Sequence, residues 1–314
     1  IPYYDGDWNC MIFDEKCQLV TDDIDKLVTG RMKVRVIMEC CPMWFIGTNK
    51  YGCKWKVKQM QYVPLSGSSM SFEKYAFDGV IHLAAESHVD NSISNGLPFV
   101  KTNVEGTFNM LEVARKIPNL KKFVQISTDE VYGDMDSRGI PSANETTSLK
   151  PSSYYSSTKA AADHLVESAG RTYGLPYLIT RTCNNFGEHQ HWEKFLPTIA
   201  RSIQNDKPIP LYGDGSNRRE WIWVEDNVRM VYDLMISDFG IWNIGSGDSW
   251  TNKQIIEEVG LIMDKKVNFE FVADRLGHDG RYSIDISKLE YHYKTIRLTT
   301  KDIRTFLSEY LENK

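Results

Sequence analysis

The stretch KKFVQISTDEVYG (Lys121–Gly133) decides how this chain folds. Its first eight residues form a short β-rich run, and the run ends in hydroxyls followed at once by two carboxylates, Asp129 and Glu130. That is the pattern of a strand delivering polar groups to its carboxyl end. Working outward, DGVIHLAA (Asp78–Ala85) is another buried strand, ending in small residues. Between the two, PFVKTNVEGTFNMLEVARKI (Pro98–Ile117) carries Phe99, Val104, Phe108, Leu111 and Ala114 close to helical spacing. On the other side, Tyr155–Tyr173 is rich in alanine and leucine and predicts a helix, and LPYLITRT (Leu175–Thr182) predicts the next strand. Strand–helix–strand repetition of this kind predicts an α/β fold with a parallel, doubly wound sheet and right-handed crossovers.

After about residue 183 the texture changes, with Asn, Gly, Pro, aromatic and charged residues dominating from Asn184 to Glu225. Ile255–Met263 and Asp302–Asn313 read as later helices, with Val267–Val272 a strand between them. The expectation is a first domain over 1–182, atypical over 1–75, and a smaller mixed α/β domain over 183–314. About residues 217–246 of the latter are expected to return in part to the first. A chain of 314 residues suits that division. The net charge of −5 gives no footprint for nucleic acid or an anionic membrane. No apolar run approaches the ~18 residues of a membrane span, and IPYYDGDWNC (Ile1–Cys10) lacks a signal peptide's basic and apolar regions, so the expected location is the cytoplasm. Cys10, Cys17, Cys40, Cys41 and Cys53 contain no C-x-x-C pair, and no histidine lies among them. They read as reduced thiols rather than a zinc site. His189 and His191 lack a further acidic cluster, so no metal is expected. Trp221 and Trp223 read as core.

Ligands of open α/β sheets sit beyond the carboxyl ends of the strands, and three motifs fall on that edge. In LAAES (Leu83–Ser87) small residues let a flat ligand approach the backbone. STDEVYG (Ser127–Gly133) supplies a hydroxyl and two adjacent carboxylates, and YSSTK (Tyr155–Lys159) places a Tyr and a Lys one helical turn apart. A tyrosine titrates near 10 in isolation, and a lysine four residues on is expected to stabilise the phenolate and lower that value. Y-x-x-x-K alone is weak in a chain with 16 tyrosines; following STDE at the start of the next helix, it becomes specific.

Together these motifs resemble the extended short-chain dehydrogenase/reductase family, in its nucleotide-sugar branch. His82–Ile93, Ser127–Asp134, Cys183–Pro197, Asn217–Asp226, Trp242–Gly245 and Asp274–Asp285 carry that resemblance in the family's order. Thr128-Asp129-Glu130 is the part that points to 4,6-dehydratases, since epimerases of the family lack the acid pair. The resemblance implies a Rossmann-type domain binding NAD, a homodimer pairing helices near 98–116 and 155–173, and a nucleotide-sugar substrate, dTDP-glucose ahead of UDP-sugars. It implies that Tyr155, with Lys159, takes the proton of the sugar 4-hydroxyl while Thr128 bonds O4. Glu130 then removes the C5 hydrogen, Asp129 protonates the departing 6-hydroxyl, and C6 is finally reduced. Cofactor contacts are implied at Gly47, Leu83, Ala84, Ala85, Ser87, Thr102, Tyr155, Lys159 and Asn185. Substrate contacts are implied at Ser87, Asn184, Lys194, Phe195, Pro210, Tyr212, Arg219, Asn243, Arg275 and His278. A UDP-sugar dehydratase, epimerase or decarboxylase, or a nucleotide-sugar-binding protein without turnover, stands as the alternative.

The beginning of the chain departs from the family. ECCPMWFIGTN (Glu39–Asn49) follows the β-rich Val34–Ile37, where a strand and a glycine-rich phosphate turn are expected. Aligned on FIG, it puts Cys40, Cys41 and Trp44 at the threonine and first two glycines, leaving only Gly47. The 33 residues between Gly47 and Ile81 (48–80) are too few for two helix–strand passes.

Overall fold

The computed structural model describes residues 12–13, 33–40, 55–63, 79–293 and 299–312, with backbone alone over 12–13, 33–40, 55–63 and 310–312. The chain separates into two compact units, Ile1–Ser71 and Phe72–Lys314. In the first, β1 (Ile12–Phe13), β2 (Lys33–Cys40) and β3 (Trp55–Val63) form a sheet in the order β1-β3-β2. β2 runs antiparallel to β3, with a register shift between Ile37 and Met38. The strand expected at Val34–Ile37 is present, but its antiparallel partner is not the parallel neighbour of a βαβ unit. Gly47 lies outside the described residues.

The second unit is built on a four-stranded parallel sheet: β4 (Gly79–His82), β5 (Lys122–Thr128), β6 (Tyr177–Thr182) and β10 (Gly240–Ile244) in the order β10-β6-β5-β4. Each strand pairs with its predecessor in the same direction, so a crossover must span each step. From β4 the chain passes through α1 (Val89–Ser94), a turn at Leu97–Phe99, a π-helical segment over Val100–Glu105, and α2 (Gly106–Ala114). Helix α3 (Tyr154–Tyr173) links β5 to β6. The path from β6 to β10 leaves the sheet through β7 (Asn184–Phe186), α4 (Phe195–Gln204), β8 (Ile209–Tyr212), β9 (Arg218–Trp223) and α5 (Val224–Ser237). After β10 follow β11 (Ser249–Thr251), α6 (Asn252–Ile262), β12 (Phe269–Val272), α7 (Ser287–Tyr293) and α8 (Ile303–Glu312). β9 pairs with β7 and β11, and β8 with β12.

Two apolar cores flank the main sheet, one including Val124, Leu178, Met230 and Trp242, the other Leu111, Phe123, Val166 and Ile179. A third, with Phe186, Ile199, Trp221, Trp223 and Ile255, sits under the later strands. The two tryptophans are core residues, as their pattern predicts. Cys183 is a buried free thiol.

The crossover helix differs from its predicted phase. Phe99, Leu111 and Ala114 are buried as expected, but Phe108 is 50% exposed while Asn103 and Thr107 face the core. The π segment adds one residue to a turn and rotates the face that follows, a feature common at functional sites. The buried polar residues have partners. Asn103 donates to the Glu86 carbonyl and to Thr158 Oγ1, both at 3.0 Å, and accepts from the Glu86 N–H at 2.8 Å. Thr107 Oγ1 lies 3.2 Å from His82 Nε2. Satisfied polar contacts, rather than apolar periodicity, therefore set this helix's face.

Helix α3 begins where Ser153 and Ser156 form a reciprocal capping box and ends at Gly174 in the left-handed region (φ 68°). The face it lays on the sheet carries Lys159 and Asp163 besides Ala160, Ala162 and Val166. A helix stabilised only by apolar packing would not bury two charges there.

Candidate active site

The carboxyl ends of β4 and β5 and the first turns of α3 converge. At the end of β5 the chain turns through a short 3₁₀ helix, Asp129–Tyr132, capped by Thr128, whose Oγ1 accepts from the Glu130 N–H at 3.3 Å. The turn ends at Gly133 (φ 76°), where a Cβ would stand 2.0 Å from the Lys150 carbonyl oxygen, so only glycine fits. Thr128, Asp129, Glu130, Tyr155 and Lys159 are brought together. Tyr155 is hydrogen-bonded to Thr128, Thr128 Oγ1 donates to Asp129 Oδ1 at 3.2 Å, and Lys159 Nζ donates to the Ile126 carbonyl at 2.5 Å.

The two carboxylates differ in surroundings. Burial pushes Asp129 well up, and the neighbouring Glu130 and Glu220 add to the shift, against Arg219. Burial raises Glu130 too, but Arg219, Arg275 and Lys194 all pull it back. Asp129 faces like charges that favour its protonated form; Glu130 faces cations that offset part of the push from burial. Adjacent acids separated in this way suit opposite roles. Glu130 Oε2 is buried without a hydrogen-bond partner, leaving an acceptor free for a substrate proton.

The phenol differs from its predicted behaviour. Burial holds Tyr155 above its ordinary value, and Glu130 and Asp129 reinforce this. Lys159, itself lowered by burial to about 8, keeps most of its charge near neutral pH, yet burial and the two carboxyls prevail at Tyr155. In the protein alone Tyr155 is a neutral hydrogen-bond donor and acceptor.

Around Glu130 gather the expected cations, though not idle. Lys194 Nζ donates to the Ser87 carbonyl at 2.9 Å, and Arg275 pairs with Asp90 at 3.2 Å while its Nε is buried and unpaired. The Arg219 guanidinium is buried, bonded to the carbonyls of Arg218 (2.7 Å) and Asp279 (3.0 Å), and stacked over Tyr282. His278 Nδ1 lies 2.5 Å from Asp274 Oδ1 and edge-on to Tyr212. Phe195 stacks on Trp221, Asn184 is half-buried on β7, and Pro210 is exposed on β8. Asn243 stands apart from these. It is fully buried, donates to the Ala143 and Asp285 carbonyls, and accepts from Tyr132 Oη, so its side chain is spent within the framework. Arg281 binds Asp136 Oδ1 and the Ile140 and Pro141 carbonyls. Asp90, Asp163, Arg181 and Glu220 were not singled out from sequence; of these, Asp163 alone had a signal, one turn beyond Lys159.

A dinucleotide suits this edge. Leu83 and Ala84 are exposed and Ala85 half-buried beyond β4, presenting small residues to a flat ring. Lys159 has N–H groups left after its single bond to Ile126, as ribose hydroxyls require. Asn185 is bonded to the Cys183 carbonyl and to Asn227, and Thr102 lies half-buried in the π segment.

The split between the carboxyls predicts a bell-shaped dependence of kcat/KM on pH. The base is lost as pH falls through the Glu130 value, which lies above the ordinary 4.5. The acid is lost as pH rises through that of Asp129. An acid limb at or below the ordinary glutamate value would contradict this assignment.

The sequence profile of the NAD dependent epimerase/dehydratase family matches residues 56–245. The dTDP-glucose 4,6-dehydratase of Haemophilus influenzae is 44% identical over 241 residues, covering 69% of this chain and 71% of that protein. The low-salt glycan biosynthesis protein Agl12 of Haloferax volcanii is 48% identical over 218 residues, 67% of this chain and 68% of its own. Among solved structures, the dTDP-glucose 4,6-dehydratase DesIV of Streptomyces venezuelae, with NAD bound, superposes with a TM-score of 0.69 at 37% identity. That match covers 75% of this chain and 72% of DesIV.

Proposed function

This chain belongs to the NAD dependent epimerase/dehydratase family, and on that premise we propose that it is a hydro-lyase converting dTDP-glucose to dTDP-4-keto-6-deoxyglucose. The observation that carries this reading is the electrostatic split between Asp129 and Glu130 beside Thr128 and Tyr155. An epimerase needs no second carboxyl held protonated next to a base.

Bound NAD supplies reversible oxidation and reduction, so the conversion is redox neutral. Leu83, Ala84, Ala85, Lys159 and Asn185 are the described residues that would hold it, with Ser87 and Thr102 nearby. Tyr155, once ionised, accepts the proton of the 4-hydroxyl, and Thr128 bonds O4 and polarises the ketone as it forms. The ketone acidifies the C5 hydrogen, which Glu130 removes through its unpaired oxygen. Asp129 gives its proton to the 6-hydroxyl as water leaves. Lys194, Arg219 and Arg275 form the cationic wall toward the diphosphate, arginine being suited to phosphate oxygens. Asn184, Phe195, Pro210, Tyr212 and His278 complete the nucleotide side. Asn243 acts from behind as framework.

The division into an NAD-binding part over 1–182 and a substrate part over 183–314 belongs to the same reading, as does assembly into a homodimer. Leu97, Val100, Phe108 and Tyr154 leave apolar surface exposed on the helical layer of α2 and α3. That layer suits burial against a second copy. The cytoplasm is the location we assign; among the described residues no helix is long and apolar enough to cross a membrane.

Purified protein is expected to release NAD on denaturation and to turn dTDP-glucose into a 4-keto product with an alkaline chromophore. Protein that carries no NAD and cannot take it up would overturn the enzyme reading. Turnover of UDP-glucose alone would overturn the dTDP assignment.

A further inference from the structure

The reaction proposed above draws its parts from two elements: Tyr155 and Lys159 on α3 act at C4, while Asp129 and Glu130 on the turn after β5 act at C5 and C6. A buried polar chain joins the two from behind. Asp163 lies one turn beyond Lys159 on α3, and its Oδ2 accepts from Arg181 Nε at 3.0 Å. Arg181, on β6, is 2% exposed and Asp163 fully buried. Arg181 Nη1 donates to Tyr132 Oη at 3.0 Å, and the guanidinium lies 4.9 Å from the Tyr132 ring centroid. Tyr132 is the last residue of the turn that carries Asp129 and Glu130, and its hydroxyl donates to Asn243 Oδ1 at 2.8 Å on β10.

We infer that Arg181 is a positioning residue, a strut whose bonds to Asp163 and Tyr132 fix the separation between the oxidising and eliminating halves of the site. A buried ion pair adds little net stability over apolar packing. A planar, forked guanidinium does impose direction on its partners. The substrate must meet Tyr155 at O4 and Glu130 at C5 within one bound pose, and small misplacements of such groups slow a step steeply. No other described side chain bonds both Asp163 and Tyr132.

The inference rests on the dehydratase reading, and its test separates the two. Tyr132→Phe keeps the ring and deletes the hydroxyl link to the turn, leaving α3 held by its capping box and packing. In single turnovers with dTDP-glucose, C4 oxidation, read as reduced-nicotinamide absorbance, is expected within about twofold of wild type. Elimination, read as exchange of the C5 hydrogen with solvent deuterium, is expected about tenfold slower, with KM nearly unchanged. Arg181→Lys retains a charge for Asp163 but lacks the fork, and is expected to show the same split at about a hundredfold. Wild-type rates for both steps in Tyr132→Phe, or equal slowing of both, would overturn the strut. A wild-type enzyme that never reduces its nicotinamide on dTDP-glucose would overturn the reaction beneath it.

Discussion

Glu130→Gln is expected to lower turnover of dTDP-glucose by about a thousandfold or more, while C4 oxidation continues. Glutamine keeps the shape of the side chain but cannot take the C5 proton, so the enzyme should stall with its nicotinamide reduced and its substrate as the 4-ketone. A thousandfold corresponds to about 4 kcal/mol of lost transition-state stabilisation. KM should stay within about threefold, because the cationic groups around Glu130 still hold the diphosphate. The variant also removes a negative charge that helps Asp129 keep its proton. The alkaline limb of any residual activity should therefore move to lower pH. Turnover within tenfold of wild type, or loss of nicotinamide reduction, would show that Glu130 is not the C5 base.

Tyr155→Phe should arrest the enzyme one step earlier. Without the phenol nothing accepts the 4-hydroxyl proton, so no reduced nicotinamide should form and the rate should fall about a thousandfold or more. Tyr155 is bonded to Thr128 alone among the catalytic set, so its loss leaves the carboxyl pair and the cationic wall in place. Calorimetry should find nucleotide-sugar affinity within about threefold of wild type. The pair of variants is diagnostic because they stop at different stages: one reduced and stalled, the other never oxidising. Identical arrest in both would mean that the two residues do not divide the reaction.

Much of this was legible in residue order because the sheet follows chain order. β4, β5, β6 and β10 take neighbouring places in sequence. A motif that ends a strand must therefore lie on the same edge as its neighbours. STDE and Y-x-x-x-K are local, each within a turn, and their residue types already name acid, base and hydroxyl. The phase of the crossover helix was not legible. Apolar spacing put Phe108 inward, whereas the π segment and the bonds of Asn103 and Thr107 turned polar residues inward instead. Asn243 misled for the opposite reason, since an asparagine that caps two carbonyls reads the same in sequence as one that grips a ligand.

The amino-acid order by itself predicted the parallel sheet and singled out Thr128, Asp129, Glu130, Tyr155 and Lys159, because these depend on local spacing and intrinsic chemistry, while the reaction type came from the family resemblance. Only the tertiary structure supplied a physical basis for the acid and base roles that the resemblance implies for Asp129 and Glu130. That depends on charges brought from far along the chain: Glu220 toward Asp129, and Lys194, Arg219 and Arg275 toward Glu130. It likewise placed Arg181 between Asp163 and Tyr132. Coulomb interactions and desolvation act through space, and contacts between residues tens of positions apart exist only once the chain has folded.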